Sequence, residues 1–317
     1  MRGEDMRSFR ILRNWGQDEL AEHLNQALGR KYTRPKISRW ETGAERIPAD
    51  VSAHLSPKRQ PPRRDGALVL GFANFKGGVG KTTLSVNVAD ALARAGHRVL
   101  LVDCDPQYNA TKLLGLPAAA LFEERRTLFH ALERDLGIAD VVVRGPGFDV
   151  ATSHIDLMRV ETRGEPGAEF ILKEKLAPLA DRYDFVIIDA PPNPGKLTTM
   201  VLAAAHRLVI PVRTEPLDSS GLDLLLEQLS QVQRRLNTGL KVLGVVPNHY
   251  DARKAVDQIL LGTIRDNLSA KFRVFEPVPY DSAFGKAGLM NQTVVSAWAR
   301  SSGAKAIMSL VREIENA

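Results

Sequence analysis

The sequence predicts an α/β protein built on a mostly parallel, doubly wound sheet, with a small all-α module ahead of it. Three observations lead there. From residue 67 onward, short apolar runs alternate with amphipathic helical stretches, the pattern of a sheet covered by helices on both faces. Before residue 57, apolar residues recur only at helical spacing. Between them, residues 57–66 read PKRQPPRRDG, whose three prolines, four cations and closing glycine suit neither helix nor strand. The domain boundaries that follow are 1–56 for the helical module, 57–66 for a semi-extended linker and 67–317 for the α/β domain.

In the front module, Phe9, Leu12 and Trp15 form one apolar stripe, Leu20, Ala21 and Leu24 a second, and Ile37 and Trp40 a third. Helices this short must pack on one another to be stable. After the linker, residues 68–72 predict a buried strand running into a glycine-rich turn. A helix over 82–95 follows, stopped by Gly96, and then a second strand over 99–102. Further strands are predicted at 148–151, 185–188, 207–212, 242–246 and 275–278. The helices between and after them fall at 169–180, 198–204, 221–236, 255–268 and 301–315.

Charge is unevenly placed. The whole chain carries 43 Lys and Arg against 37 Asp and Glu. Residues 1–65 hold 14 against 9, and the remainder 29 against 28, so the front segment carries nearly all of the excess. Concentrated positive charge suits an anionic partner such as DNA. No run of eighteen apolar residues predicts a membrane span, and the start MRGEDMRSFR lacks the apolar core of a secretory signal. Cys104 is the only cysteine, which excludes an internal disulfide framework and predicts a small buried side chain. Together these features favour the cytoplasm. His130, His154, His206 and His249 show no metal-ligand spacing.

The most informative stretch is 73–83, ANFKGGVGKTT, directly after the first strand. Gly77, Gly78 and Gly80 let the backbone turn tightly, so that successive N–H groups, including those of Val79 and Thr83, converge on phosphate oxygens. The helix that follows aims its positive end at the same point. Lys81 reaches the β- and γ-phosphates of a nucleotide, and the Thr82 hydroxyl ligates Mg²⁺. The usual phosphate-loop formula has glycine where this chain has Phe75, and a second lysine, Lys76, opens the loop. Asp103 and Asp105 close the second strand and Asp189 closes the run 185–188. These are the carboxyl ends outside which parallel sheets bind ligands. A carboxylate there holds Mg²⁺ or orients an attacking water.

With KGGVGKTT at 76–83, DCDPQ at 103–107 and IIDAPP at 187–192, residues 67–317 resemble the ParA/MinD family of deviant P-loop ATPases. PVRTEP at 211–216 and Phe284-Gly285-Lys286 are weaker matches. The resemblance implies a P-loop NTPase fold and ATP/ADP with Mg²⁺ as ligands. It implies a homodimer that sandwiches nucleotide, with Lys76 reaching the partner's phosphates much as an arginine finger does. It makes Lys81 the P-loop lysine, Thr82 the metal ligand, Asp105 the water-positioning carboxylate, Asp189 a second carboxylate on the magnesium side, and Asn248 an adenine contact. Asp103 is structural.

The C-terminal segment mixes acids with bases and predicts a helix packed on the domain, unlike the membrane-binding tail of MinD-like members. In the front module, QDELAEHL at 17–24 and TRPKISRWETG at 33–43 resemble the two helices of a Cro/repressor-type helix-turn-helix. Thr33 or a neighbour is the expected N-cap, with Pro35 tolerated in the first turn, and the connection over 25–32 is longer than the usual tight turn. Arg34, Lys36, Ser38 and Arg39 face outward in this reading, towards phosphates and base edges. The combination implies a DNA-partition ATPase associated with the nucleoid. Its own hydrolysis is weak and is stimulated by DNA and by a centromere-binding, ParB-like partner. Arg273 lies where the family contributes DNA-binding cations. The alternative is a nucleotide-switched transcriptional regulator that recognises an operator through the front module.

Overall fold

The computed structural model describes residues 3–11, 15–55, 65–133, 136–162, 164–215 and 219–316. Leu12, Pro216 and linker residues 57–64 lie outside them. The chain divides into two compact units, Met1–Gln60 and Pro61–Ala317.

Among the described residues, the first unit holds four short helices, Gly3–Ile11, Gln17–Leu28, Arg34–Glu41 and Ala49–Leu55. The predicted stripes meet in one core, where Met6, Leu20, Leu24, Ile37, Trp40, Val51 and Leu55 are wholly buried. The second helix runs further than the expected connection allowed, to Leu28, and ends on Gly29 in the left-handed conformation (φ 62°). Asn25, within that helix, donates to the Tyr32 carbonyl at 2.9 Å and accepts from the Tyr32 N–H, bracing the short remaining connection. Thr33 is the N-cap of the third helix, with Pro35 tolerated in its first turn, although its side chain makes no capping bond. Gly3 is packed so closely on the end of the third helix that a Cβ there would stand 2.3 Å from the Trp40 carbonyl oxygen.

The second unit is a seven-stranded sheet: β1 (Leu68–Phe72), β2 (Val99–Asp103), β3 (Val142–Arg144), β4 (Asp149–Ala151), β5 (Phe185–Asp189), β6 (Arg207–Arg213) and β7 (Lys241–Asn248). Their order is β3-β4-β2-β5-β1-β6-β7, parallel throughout except for β3 against β4. Alternate residues of each strand feed opposite cores, as a pleated strand requires. Val69, Leu100 and Val102 join one core with the helices Lys196–Ala204 and Ser219–Arg235. Leu70, Phe72 and Leu101 join the other with the helices Lys81–Ala95 and Ser302–Glu315. The last helix buries Ile307, Leu310, Val311 and Ile314 there, so its apolar face is used in packing. No helix among the described residues is long and apolar enough to cross a membrane.

Two expectations need correction. Residues 275–278 are not a strand. Among the described residues, the only bridges to the sheet edge here flank that span, Val245 with Val274 and Tyr250 with Pro279. Pro277 and Pro279 lack the N–H groups that a ladder needs. The hairpin strand β3, absent from the prediction, is only three residues long and sits at the edge beyond the turn GPG at 145–147.

Candidate nucleotide-binding site

The glycine-rich loop leaves the carboxyl end of β1, a central strand, and leads into the fifteen-residue helix Lys81–Ala95. Gly78 (φ 71°) and Gly80 (φ 91°) occupy the left-handed region, which glycine enters without strain. Around Gly77 there is open space, with nothing within 4 Å of where a Cβ would stand. Val79 is buried. Thr82 and Thr83 lie half-buried in the first turn of the helix.

Two buried amides tie the loop to the neighbouring strands β6 and β7. Asn74 donates to the Pro211 carbonyl at 2.7 Å and accepts from the Lys76 N–H at 2.9 Å. Asn248, at the end of β7, donates to the Val79 carbonyl at 2.9 Å and accepts from the His249 N–H. The expected adenine contact therefore has its side chain committed to bracing the loop. Asn74 is a residue that sequence reasoning missed, because its partner lies 137 positions away.

Three carboxyls gather at the strand ends. The strand register sets Asp103 of β2 beside Asp189 of β5, and Asp189 beside Phe72 of β1. Asp103 is structural, as expected: it accepts from the Thr111 N–H and hydroxyl at 2.9 and 2.7 Å, and burial pushes its pKa up to about 7. Asp105 accepts from the Gln107 N–H, and burial raises its pKa. Asp189 is wholly buried. Burial, then the neighbouring Asp103, push its carboxyl up to about 8, with Thr82 and Lys81 opposing. Thr82 lies close enough to favour the charged form, yet neither Asp189 oxygen has a partner in hydrogen-bonding geometry.

Lys81 is 7% exposed and donates to the Lys76 carbonyl at 3.2 Å. Burial lowers its pKa, while Asp189 and Asp105 pull the other way. Lys76 is half-buried and pairs with Glu215 at 3.4 Å. Cys104 is fully buried beside these acids, and burial first, then Asp103, raise its thiol pKa well above the ordinary value, which makes it inert.

A magnesium ion fits the donor set. The unpartnered oxygens of Asp189 are hard donors that a bound cation would favour in the ionised form, and buried polar atoms require satisfaction. Mg²⁺ binds through one or two carboxylates plus phosphate and water. It needs no protein cage, and among the described residues no three His, Cys, Asp or Glu side chains form one.

On the front module, Arg34 and Arg39 are exposed, whereas Lys36 and Ser38 are half-buried. Arg34 lies 3.8 Å from Asp18, and Glu45 takes both Lys36 and Arg39. Residues 1–56 carry 10 cations against 8 acids, and residues 57–66 carry 4 against 1, so the basic excess sits largely in the linker. Arg273 pairs with Glu313 and stacks over Phe275.

A glycine loop between a central parallel strand and a long helix, faced by strand-end carboxyls, defines a P-loop nucleotide-binding protein. Comparison with known proteins agrees. A family model described as an AAA domain matches residues 67–242. The chromosome-partitioning ATPase Soj of Thermus thermophilus is 36% identical over 247 residues, covering 77% of this chain and 94% of that protein. The sporulation initiation inhibitor protein Soj of Bacillus subtilis is 34% identical over 251 residues, covering 78% and 97%. A crystal structure of cobyrinic acid a,c-diamide synthase from Mycobacterium smegmatis, with bound ADP and magnesium, superposes with a TM-score of 0.70 at 33% identity, covering 79% of this chain and 94% of that one. The chain belongs to the ParA/MinD family of P-loop ATPases.

Proposed function

We propose that this chain is a ParA-like ATPase for DNA partition. ATP closes a homodimer across the two phosphate loops, the dimer holds DNA without sequence preference, and hydrolysis releases it. In this reading the domains are a DNA-binding helix-turn-helix at 1–56, a linker at 57–66 and the ATPase at 67–317. The observation that carries it is that a buried loop lysine, Lys81, and a buried strand-end carboxyl without a hydrogen-bond partner, Asp189, both lie at the amide-lined turn. The chromosome-partitioning ATPase Soj, at 36% identity, supports the partition role.

The phosphates rest on the N–H groups of Gly77–Thr83 and on Lys81. Thr82, Asp105 and Asp189 are the residues that would hold Mg²⁺, which when bound neutralises charge on the β- and γ-phosphate oxygens. Asp105 orients the attacking water. Lys76 crosses to the partner copy and neutralises charge that builds during transfer. Hydrolysis is slow alone, and DNA together with a ParB-like centromere-binding partner accelerates it.

The test is direct. Lys81→Ala abolishes magnesium-dependent ATP retention, whereas Asp105→Ala keeps binding and loses hydrolysis. Equal ATP affinity in Lys81→Ala and the parent protein refutes the assignment. A second reading, a nucleotide-switched regulator, is favoured by the exposed Arg34 and Arg39 on one short helix. Operator-specific binding that responds to nucleotide without turnover selects it.

A further inference from the structure

Arg213 and Glu215 stand beside the phosphate loop, and the chemistry above does not use them. Arg213 is the last residue of β6, and its guanidinium reaches the loop. A Cβ on Gly78 would stand 3.9 Å from the Arg213 Nη1. Its Nη2 pairs with Glu215 Oε1 at 2.8 Å, and its Nε is buried without a hydrogen-bond partner. The other oxygen of Glu215, Oε2, takes Lys76 Nζ at 3.4 Å. One carboxylate thus holds two cations at the mouth of the loop, one on each oxygen. Gly221, in the helix Ser219–Arg235, lies close to the loop: a Cβ on it would stand 3.3 Å from the Lys76 backbone nitrogen.

A carboxylate shared by a lysine and an arginine presents the same chemistry to them as two oxygens of a phosphate. We propose that Glu215 is an internal stand-in for the nucleotide's terminal phosphates. Without nucleotide it neutralises Lys76 and Arg213. When the more highly charged polyphosphate enters, Arg213 turns to it with its unused Nε–H, and Lys76 is released to reach the second copy. Arg213 is thereby a phosphate-contacting residue, and Glu215 a positioning residue for Lys76. The proposal rests on the ATPase reading and deepens it.

Both pairs are about one-third exposed, with side-chain exposures of 34–38%. Exposed ion pairs shift an equilibrium by no more than about fivefold each. Breaking both at once by Glu215→Gln, which keeps the shape and removes the charge, therefore tightens ATP and ADP binding by about 3–10-fold. The KM for ATP falls by the same factor, kcat moves less than about twofold, and the gain shrinks at high salt, which a purely structural role does not produce. Arg213→Gln weakens ATP binding by about 5–20-fold, and Arg213→Lys restores part of it. Glu215→Asp, which retains the charge, controls for folding together with circular dichroism and the melting temperature.

The probes are MgATP and MgADP on the full chain, with dimerisation followed by sedimentation. ATP and ADP affinities of Glu215→Gln within twofold of the parent, or weaker, overturn the proposal. Should that variant fail to fold, unchanged ATP affinity in Arg213→Gln overturns it independently. A parent protein that does not retain MgATP sinks the ATPase reading itself, whereas a parent that binds normally with unresponsive variants sinks only this inference.

Discussion

Gly80→Ala tests the architecture of the loop at one atom. Gly80 sits at φ 91°, and an added Cβ would fall 2.0 Å from Asn248 Nδ2, far inside any real contact. A left-handed conformation in a residue with a side chain costs ~1–2 kcal/mol. The clash must also displace Asn248, which is 3% exposed and holds the Val79 carbonyl at 2.9 Å. Leaving that carbonyl unsatisfied in the interior costs a further ~1–3 kcal/mol. The sum is about 2–5 kcal/mol, a large share of the ~5–15 kcal/mol that holds a domain together. Thermal unfolding of the nucleotide-free protein measures it, taking the transition that ADP shifts. Asn248→Ala alone leaves the Val79 carbonyl and the His249 N–H without this side chain, about 1–3 kcal/mol for each group left unpaired. Combining the two substitutions removes the clash partner, so the double variant falls short of the sum by ~1–3 kcal/mol. Strict additivity, or a Gly80→Ala protein within about 0.5 kcal/mol of the parent, would falsify the reasoning.

Three further outcomes follow from other parts of the molecule. In nucleotide-free protein kept with a chelator, Asp189 has a folded pKa of about 8, above its ordinary 3.8. Its stabilising contribution is therefore full below about pH 4 and is lost as pH rises towards 8, so Asp189→Asn flattens the fall of stability across that window while Mg²⁺-dependent ATP retention is lost; parallel pH profiles contradict this. In the front unit, Arg10 makes a two-point pair with the nearly buried Glu41, at 2.7 and 3.0 Å. Burial raises the Glu41 pKa, but the bonds from Arg10 and Gln17 outweigh it and lower it overall, so the pair stabilises above the ordinary carboxylate range and is lost as acid titrates the folded group. Arg10→Ala costs about 3–5 kcal/mol in urea unfolding at neutral pH, and a loss under about 1 kcal/mol contradicts that. Finally, DNA affinity in ATP falls steeply with salt, and Arg39→Ala lowers the log–log slope by about one if that exposed cation meets a phosphate.

Much of the second unit was legible because its signals are local. The apolar run over 68–72, the glycines of the loop and the stop at Gly96 depend on backbone sterics within a few residues. The structure has β1 at Leu68–Phe72 and a helix at Lys81–Ala95, against 82–95 predicted. The helix Ala255–Leu268 has the predicted bounds. Short elements without a full period were not legible. Val142–Arg144 offers three residues, and 275–278 reads as apolar although Pro277 within it and Pro279 just after it deny it a ladder. The connection in the front unit is shorter than predicted because Asn25 continues the helix while its side chain grips Tyr32.

The sequence by itself determined that a phosphate loop exists, which lysines line it and which carboxylates end the strands, since each of these is written within a dozen residues. Only the tertiary structure decided that Asp189 lies beside Asp103 with its oxygens unsatisfied, that Asn248 reaches Val79 across 169 positions, and that Glu215 binds Lys76 and Arg213 together. Those pairings depend on the strand order, with β1 set between β5 and β6. Strand order is settled by burying both faces of the whole sheet at once, a condition that no local stretch of chain contains.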